Sequence, residues 1–131
     1  MIKKGMKNVI ILIICVCMFL ASTFSPLAAS NSVYMMNETY RVTTSLNKSG
    51  STAPGSVSAV HVKGQVVSDP ITEISISAFS DTEGKVLCGF AYTTGSLSCS
   101  ASAYSSGGQA INMASVNSWF CGAGVTYFEV H

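Results

Sequence analysis

Histidine is scarce in this chain, and its scarcity limits the catalytic sites that the sequence could build. A serine or cysteine nucleophile needs a histidine base beside it, held by a third group. The 131-residue sequence has two histidines, His61 and His131, and no G-x-S-x-G motif. His61 alternates with valines, which predicts that it points to solvent from a strand, and His131 is the last residue. We therefore expect no hydrolase chemistry of the serine or cysteine type.

Carboxylates are the other candidates for acid–base or metal chemistry. The sequence has six of them: Glu38, Asp69, Glu73, Asp81, Glu83 and Glu129. A pair that cleaves glycosides would have to come from this set, and Glu73 with Glu129 is the pair on which an enzymatic function would depend. Asp81 and Glu83 share a turn, and the residues that follow lack the further oxygen ligands of a calcium loop. We expect neither a metal nor a cofactor.

The cysteines could bind zinc or form a disulfide. Cys88, Cys99 and Cys121 are the three that lie beyond residue 29. No C-x-x-C spacing supports zinc, and an exported protein meets an oxidising compartment that favours disulfides. We predict a bond between Cys121 and Cys99, with Cys88 as the alternative partner of Cys121. The remaining thiol would be buried or would pair between chains.

Aromatic residues offer a route to binding without catalysis. Rings on a strand surface can form a platform for a sugar or a peptide. The alternative is that a domain of about 100 residues uses most of its aromatics in its core. In the predicted strands, Phe79 and Tyr104 lie on the serine-rich face, opposite the apolar face. Trp119 is the single tryptophan of the sequence. Phe79, Tyr104 and Trp119 are therefore the predicted binding surface.

The start of the chain predicts an export signal. Three lysines lie within the first seven residues, residues 9–21 are an unbroken apolar run, and small residues follow up to Ala29. The run is shorter than the roughly 20 apolar residues of a bilayer-spanning helix. We place cleavage after Ala29, so that residues 1–29 are a signal peptide and residues 30–131 a single secreted or surface-associated domain. The alternative is an uncleaved anchor over residues 9–29.

Charge and composition exclude several partners. Residues 30–131 contain four Lys/Arg and six Asp/Glu, a net charge of about −2. A nucleic-acid-binding domain needs a basic patch, which this segment lacks. It also lacks a cationic amphipathic helix for membrane action. We therefore expect no nucleic-acid partner and no stable membrane insertion after cleavage.

Beyond residue 29 the sequence alternates as strands do. Period-two alternation is common in five runs: Tyr40–Leu46, Val57–Val67, Ile74–Ala78, Val86–Tyr92 and Leu97–Ala103. The second of these alternates at Val60 and Val62 and ends in two adjacent valines. In the segment Trp119–Val130, apolar residues occupy both odd and even positions, so both faces of a strand here would be apolar. This predicts a central strand or one covered on both faces. Turn-forming residues separate the runs, at 48–55, 68–70, 81–85, 93–96 and 105–108. This pattern predicts an all-β protein, a small antiparallel β-sandwich or partly open barrel of six to eight strands.

Turn chemistry also predicts how two hairpins pair. A left-handed Gly84 after a type I turn favours a register with three facing pairs: Ala78 with Cys88, Ile76 with Phe90 and Ile74 with Tyr92. A register shifted by one residue, which pairs Ala78 with Leu87, is the alternative. A two-residue turn at Thr94-Gly95 would then place Cys99 opposite Phe90 and expose Ser98, Ser100 and Ser102 together. The alternative is a three-residue turn ending at Gly95, which moves Cys99 to the other face of the strand 86–92.

The predicted function is that of a secreted binding module without catalytic activity. Its ligand would be extracellular or on a cell surface. The alternative is a secreted antibacterial or toxin-like protein that acts on a cell envelope, and growth inhibition of neighbouring cells would distinguish the two.

Overall fold

The computed structural model describes residues 27–81 and 83–130, and this part of the chain folds as eight antiparallel strands. The strands are β1 (Leu27–Met35), β2 (Tyr40–Lys48), β3 (Thr52–His61), β4 (Ile71–Ser80), β5 (Lys85–Thr94), β6 (Ser98–Tyr104), β7 (Met113–Phe120) and β8 (Ala123–Val130). A first sheet has the order β1-β2-β3-β6, and a second sheet has the order β5-β4-β7-β8. The predicted antiparallel β-sandwich is confirmed.

The core lies between the two sheets, where alternation predicted it. On β2 the buried positions are Tyr40 and every second residue up to Leu46. On β4 they include Ile74, Ile76 and Ala78. Because side chains alternate across a strand, a sheet with one buried face needs an apolar residue at every second position. These runs therefore form the inner faces of the sandwich.

The β4–β5 hairpin confirms the predicted turn and corrects its register. Gly84 is left-handed with φ of 62°, and its N–H donates to the Ser80 carbonyl oxygen at 2.9 Å. The strands then pair through Ser80 with Lys85, which places Ala78 opposite Leu87. This is the shifted register, so the predicted pairing of Ala78 with Cys88, Ile76 with Phe90 and Ile74 with Tyr92 is wrong. Cys88, Phe90 and Tyr92 therefore point away from the core.

A close approach between β5 and β6 explains this register. A Cβ atom at Gly89 would lie 2.6 Å from the carbonyl carbon of Ser102 and 3.1 Å from the amide nitrogen of Ala103. Real side chains do not tolerate such contacts with backbone, so only glycine fits at this inward position. β5 therefore turns Leu87, Gly89 and Ala91 toward the core, and Phe90 and Tyr92 toward solvent.

β5 and β6 do not form the second predicted hairpin. β6 pairs with β3, so Cys99 lies opposite Val57 rather than opposite Phe90. The chain crosses from the second sheet to the first after β5, and the Gly95 N–H donates to the Pro70 carbonyl oxygen at 2.8 Å. The predicted outward face of β6 is nevertheless correct, because Ser98, Ser100 and Ser102 alternate with inward Ala101 and Ala103.

The segment Trp119–Val130 is a hairpin, and the predicted single central strand is wrong. β7 ends at Phe120, and β8, an edge strand, begins at Ala123. Cys121 and Gly122 between them have φ of 52° and 77°. Two successive positive φ angles make a type I′ turn, whose twist matches that of the flanking strands. Cysteine is an unusual residue at such a turn, which explains why alternation alone did not reveal it.

The boundaries of β3 also differ from the prediction. The strand begins at Thr52, within the segment that was predicted as a loop, and it ends at His61. The β2–β3 connection shrinks to Ser49-Gly50-Ser51, where Gly50 has φ of 55°. Val60 and Val62 are exposed, so the valine alternation at the end of this run does not continue the core.

β1 includes the predicted cleavage position. Leu27, Ala28 and Ala29 pair with Lys48, Asn47 and Leu46 of β2. Cleavage after Ala29 would leave a strand that starts at Ser30. Residues 1–26 of the predicted signal peptide lie outside the described residues, and the described ranges contain no helix long and apolar enough to cross a membrane.

Candidate functional site

The outer face of the second sheet carries five aromatic side chains, which we call the aromatic face. Its rings are Phe79, Phe90, Tyr92, Trp119 and Tyr127. Phe90 and Tyr127 are more than half exposed, at 64% and 62%, and Phe79 is half-buried. Single exposed apolar residues are ordinary on protein surfaces, whereas a contiguous exposed apolar patch marks an interaction site. The aromatic face is therefore the candidate functional site.

One row of this face crosses the whole sheet. Phe90 of β5 lies opposite Ser75 of β4, Ser75 opposite Asn117 of β7, and Asn117 opposite Tyr127 of β8. Neighbouring strands are about 4.8 Å apart, so the two rings are separated by roughly 14 Å across three strand spacings. A hydroxyl and an amide lie between the rings, which gives the row stacking groups at its ends and hydrogen-bonding groups at its centre.

The adjacent row places a carboxylate between two rings. Tyr92 lies opposite Glu73, and Glu73 lies opposite Trp119. Directly opposed side chains have Cβ atoms about 4.5–5.5 Å apart, so Tyr92 and Trp119 flank Glu73 in this row. The indole ring of Trp119 extends from there over Gly124 of β8. Glu73 is half-buried and makes no hydrogen bond or ion pair with another side chain of the described residues. Its carboxylate remains available to a ligand.

A β-bulge fixes the position of Trp119. The β7–β8 register shifts between Ser118 and Trp119, so that Trp119 pairs with Gly124. A Cβ atom at Gly124 would lie 3.3 Å from two carbons of the indole ring, which shows that the ring lies over this glycine. A ring that covers a strand glycine is held by that contact. Trp119 is thus 40% exposed yet held on the face before any ligand arrives.

Tyr127 and Glu129 interact along β8. The Tyr127 hydroxyl donates a hydrogen bond to Glu129 Oε1. This bond raises the pKa of Tyr127 above its ordinary value, and burial and the Glu129 charge raise it further. The hydroxyl therefore stays protonated at neutral pH, and the bond restricts the ring's rotation.

The aromatic face is negatively charged. Its outward positions on β4, β5, β7 and β8 include Glu73 and Glu129 and, within the described ranges, no Lys, Arg or His. Lys85, at the start of β5, does not share the outward alternation of Phe90 and Tyr92. Its Nζ is 3.5 Å from Glu83 Oε2. The face therefore combines exposed rings with two acidic side chains.

The structure brings together two of the three predicted binding residues. Phe79 and Trp119 both lie on the aromatic face, although in different rows. Tyr104 is 62% exposed on β6, on the outer face of the other sheet, and does not belong to this site. Phe90, Tyr92 and Tyr127 were missed. The alternative, shifted register of the β4–β5 hairpin would have predicted Phe90 and Tyr92, because in that register both side chains point outward.

The middle of the outer face of the first sheet carries small hydroxyl side chains, with the exposed Tyr34, Val60 and Tyr104 toward its margins. The Ser45 and Ser56 hydroxyls are 2.6 Å apart, and those of Ser32 and Thr43 are 2.8 Å apart. A shallow groove follows these strands and includes Pro54 in its lining. The hydroxyls satisfy one another across the strands, so this face offers a ligand fewer free groups than the aromatic face does.

The predicted disulfide is not formed. Cys88, Cys99 and Cys121 are free thiols. Cys99 faces inward from β6, Cys88 faces outward on β5, and Cys121 lies in the β7–β8 turn. Burial raises the pKa of the Cys99 thiol, and the Glu73 charge adds to this. Cys99 is therefore held in the unreactive thiol form.

The residues considered for catalysis do not converge. Glu73 lies on β4 and Glu129 on β8. Their positions are two strands and two cross-strand rows apart, which separates their α-carbons by about 15 Å. Paired glycosidase carboxylates are about 5–10 Å apart. His61 ends β3 exposed, with Nε2 3.0 Å from the Gly64 carbonyl oxygen, and His131 lies outside the described residues. No group of three His, Cys, Asp or Glu side chains in the described ranges could hold a metal ion.

Comparison with known proteins identifies no relative. No family model, curated protein or solved structure matches the chain.

Proposed function

We propose that this protein is a secreted binding module without catalytic activity, and that it binds polysaccharide through the aromatic face. One observation carries the proposal: four exposed rings, Phe90, Tyr92, Trp119 and Tyr127, share one side of a sheet with outward hydroxyls, an amide and carboxylates. The same side also carries the apolar side chains of Ile71, Val86 and Met113 toward its margins.

Sugar rings match this combination of groups. A pyranose presents a face of C–H groups that stacks on an aromatic ring, and its hydroxyls need donors and acceptors at the rim of that contact. On the aromatic face Phe90 and Tyr127 supply stacking surfaces, while Ser75 and Asn117 supply hydrogen bonds between them. Rings separated by about 10–14 Å are too far apart for a single sugar. A chain of several sugar units fits better.

The rigidity of the face supports binding with little loss of entropy. Its residues project from strands rather than from loops, Trp119 is held over Gly124, and Tyr127 is hydrogen-bonded to Glu129. Side chains that are fixed in advance lose less conformational freedom when a ligand binds. The localisation belongs to the same proposal. The leader would deliver the protein outside the cell, where polysaccharides of the cell surface would be its ligands.

Sedimentation with insoluble polysaccharides tests the proposal. The protein is mixed with cellulose, chitin, mannan or purified cell walls, and the bound fraction is measured. We expect Trp119→Ala and Tyr127→Ala each to weaken binding by roughly three- to tenfold, the loss of one stacking contact. Tyr104→Ala is the matched control, because Tyr104 is exposed to the same extent as Tyr127 but lies on the other sheet. Equal binding by all three variants would contradict the proposal.

A further inference from the structure

We infer that the row Tyr92–Glu73–Trp119 is a subsite for a positively charged amino sugar, so that the polysaccharide bound by the aromatic face contains free amine groups. This inference rests on the proposed function and adds the charge of the ligand to it. The observation behind it is an available carboxylate that lies between two exposed rings.

An ammonium group satisfies all three side chains of this row. The faces of Trp and Tyr attract a cation through their ring quadrupoles, and a carboxylate attracts it by charge. Glu73 is half-buried on the central strand β4, where screening by salt is weaker than for a fully exposed charge. A neutral acetylated sugar would stack on the rings and could offer the Glu73 carboxylate only neutral hydroxyl or amide donors, which bind it more weakly than an ammonium group does.

Charge favours a cationic over an anionic ligand at this row. The outward positions of this sheet carry no Lys, Arg or His within the described ranges. An acidic polysaccharide would therefore meet the like charge of Glu73. A polymer of partly deacetylated N-acetylglucosamine meets the two rings and this carboxylate.

Paired polymers that differ only in acetylation test the inference. Affinity is measured for soluble chitosan and for acetylated chitin oligomers of the same length. We expect the wild-type protein to prefer chitosan by about tenfold, and added salt to weaken the binding of chitosan but not that of the acetylated oligomer.

Two charge-neutral substitutions locate the effect. Glu73→Gln should reduce the preference for chitosan to about twofold or less and should retain the binding of the acetylated oligomer. Glu129→Gln removes a charge from the same face at another row and also the bond that holds Tyr127, so it should lower the affinity for both polymers alike and retain most of the preference. Circular dichroism and thermal melting confirm that both variants are folded. An equal loss in both variants would show a general charge effect and would overturn the subsite.

The remaining outcomes separate this inference from the proposed function. Equal affinity for both polymers in the wild type, unchanged by Glu73→Gln, would overturn the amino-sugar subsite and leave polysaccharide binding intact. Binding of neither polymer, nor of any polysaccharide in the sedimentation test, would overturn both. Polylysine binding as strong as that of chitosan and equally dependent on Glu73 would overturn the amino sugar as the ligand and would indicate a cationic peptide. Self-association of the protein through the aromatic face, with loss of chitosan binding, would also overturn the amino-sugar subsite.

Discussion

The α-carbon of Gly89 on β5 lies so close to the Ser102 carbonyl group on β6 that no side chain fits between them. This contact joins the two sheets along one side of the sandwich. It also determines which residues of β5 face outward, and so it places Phe90 and Tyr92 on the aromatic face.

Gly89→Ala should therefore destabilise the protein strongly. The added methyl group must displace backbone, and overpacking of this kind costs about 1–3 kcal/mol or more. Gly107→Ala is the matched control, since its new methyl group would meet only the flexible Gln109 side chain, at 3.3 Å. Chemical denaturation measures both variants. If they unfold at the same denaturant concentration, β5 and β6 are farther apart than described.

Glu83 connects the β4–β5 turn to the β6–β7 loop, which the sequence did not indicate. Its Oε1 accepts hydrogen bonds from the Ser106 hydroxyl at 2.8 Å, the Gly107 N–H at 3.1 Å and the Ser105 hydroxyl at 3.1 Å. The bond from Ser106, followed by that from Gly107, lowers the pKa of Glu83 below its ordinary value. Glu83→Gln should lower the melting temperature at neutral pH.

The effect of Glu83 should depend on pH in a defined direction. Because its pKa is lowered in the folded state, its contribution is present above the unfolded pKa of about 4.3 and is lost as pH falls through the folded pKa. The melting difference between wild type and Glu83→Gln should therefore shrink in acid. Glu38→Gln is the comparison: its pair with Lys63 also lowers the pKa of Glu38, but both side chains are exposed, so the melting difference should be small at every pH. A difference that is constant from pH 7 to pH 3 would contradict the role of the charge.

Gly84 and Gly122 should both resist substitution because of their backbone conformation. Their φ angles are 62° and 77°, and nothing lies within 4 Å of a Cβ at either position. Gly84→Val and Gly122→Val should each cost roughly 1–2 kcal/mol through left-handed strain alone. Gly84→Asn should cost less, since asparagine tolerates this region. Thermal melts that do not separate Val from Asn at position 84 would disprove the proposed turn.

The three thiols should react in a fixed order. Cys88 is exposed, Cys121 is half-buried, and Cys99 is half-buried with a raised pKa. Since the thiolate is the reactive form, iodoacetamide should modify Cys88 first and Cys99 last in the folded protein. Peptide mapping by mass spectrometry measures the order, and the same map without reduction would detect a Cys99–Cys121 bond. Finding that bond would contradict the free thiols.

Export is tested by the mass of the protein outside the cell. The leader predicts that the mature chain begins at Ser30 or Asn31. Cleavage there removes three paired residues from the start of β1 and leaves the pairs from Ser30 with Ser45 to Met35 with Tyr40. Intact-mass measurement of the exported protein identifies the first residue. Recovery of the full chain from membranes would indicate an uncleaved anchor.

Local alternation was sufficient to predict the fold class and much of the core. The residues Ile74, Ile76 and Ala78 had to lie on one face because strand geometry repeats every second residue. Gly84 had to mark a turn because few other residues adopt its conformation at low cost. Each of these conclusions depends on residues within a few positions of one another, whose relative placement is fixed by local backbone geometry.

Tertiary structure alone decided which apolar face of β5 is buried and which strands are partners. Both alternations of residues 86–92 contain apolar residues, so hydrophobicity could not choose between them. The choice came from Ser102, thirteen residues beyond Gly89, whose backbone leaves room only for hydrogen. Likewise, β6 pairs with β3 rather than with its predecessor, so Tyr104 lies apart from Trp119. The aromatic face exists because such long-range contacts, which no local pattern records, turn Phe90 and Tyr92 to the solvent.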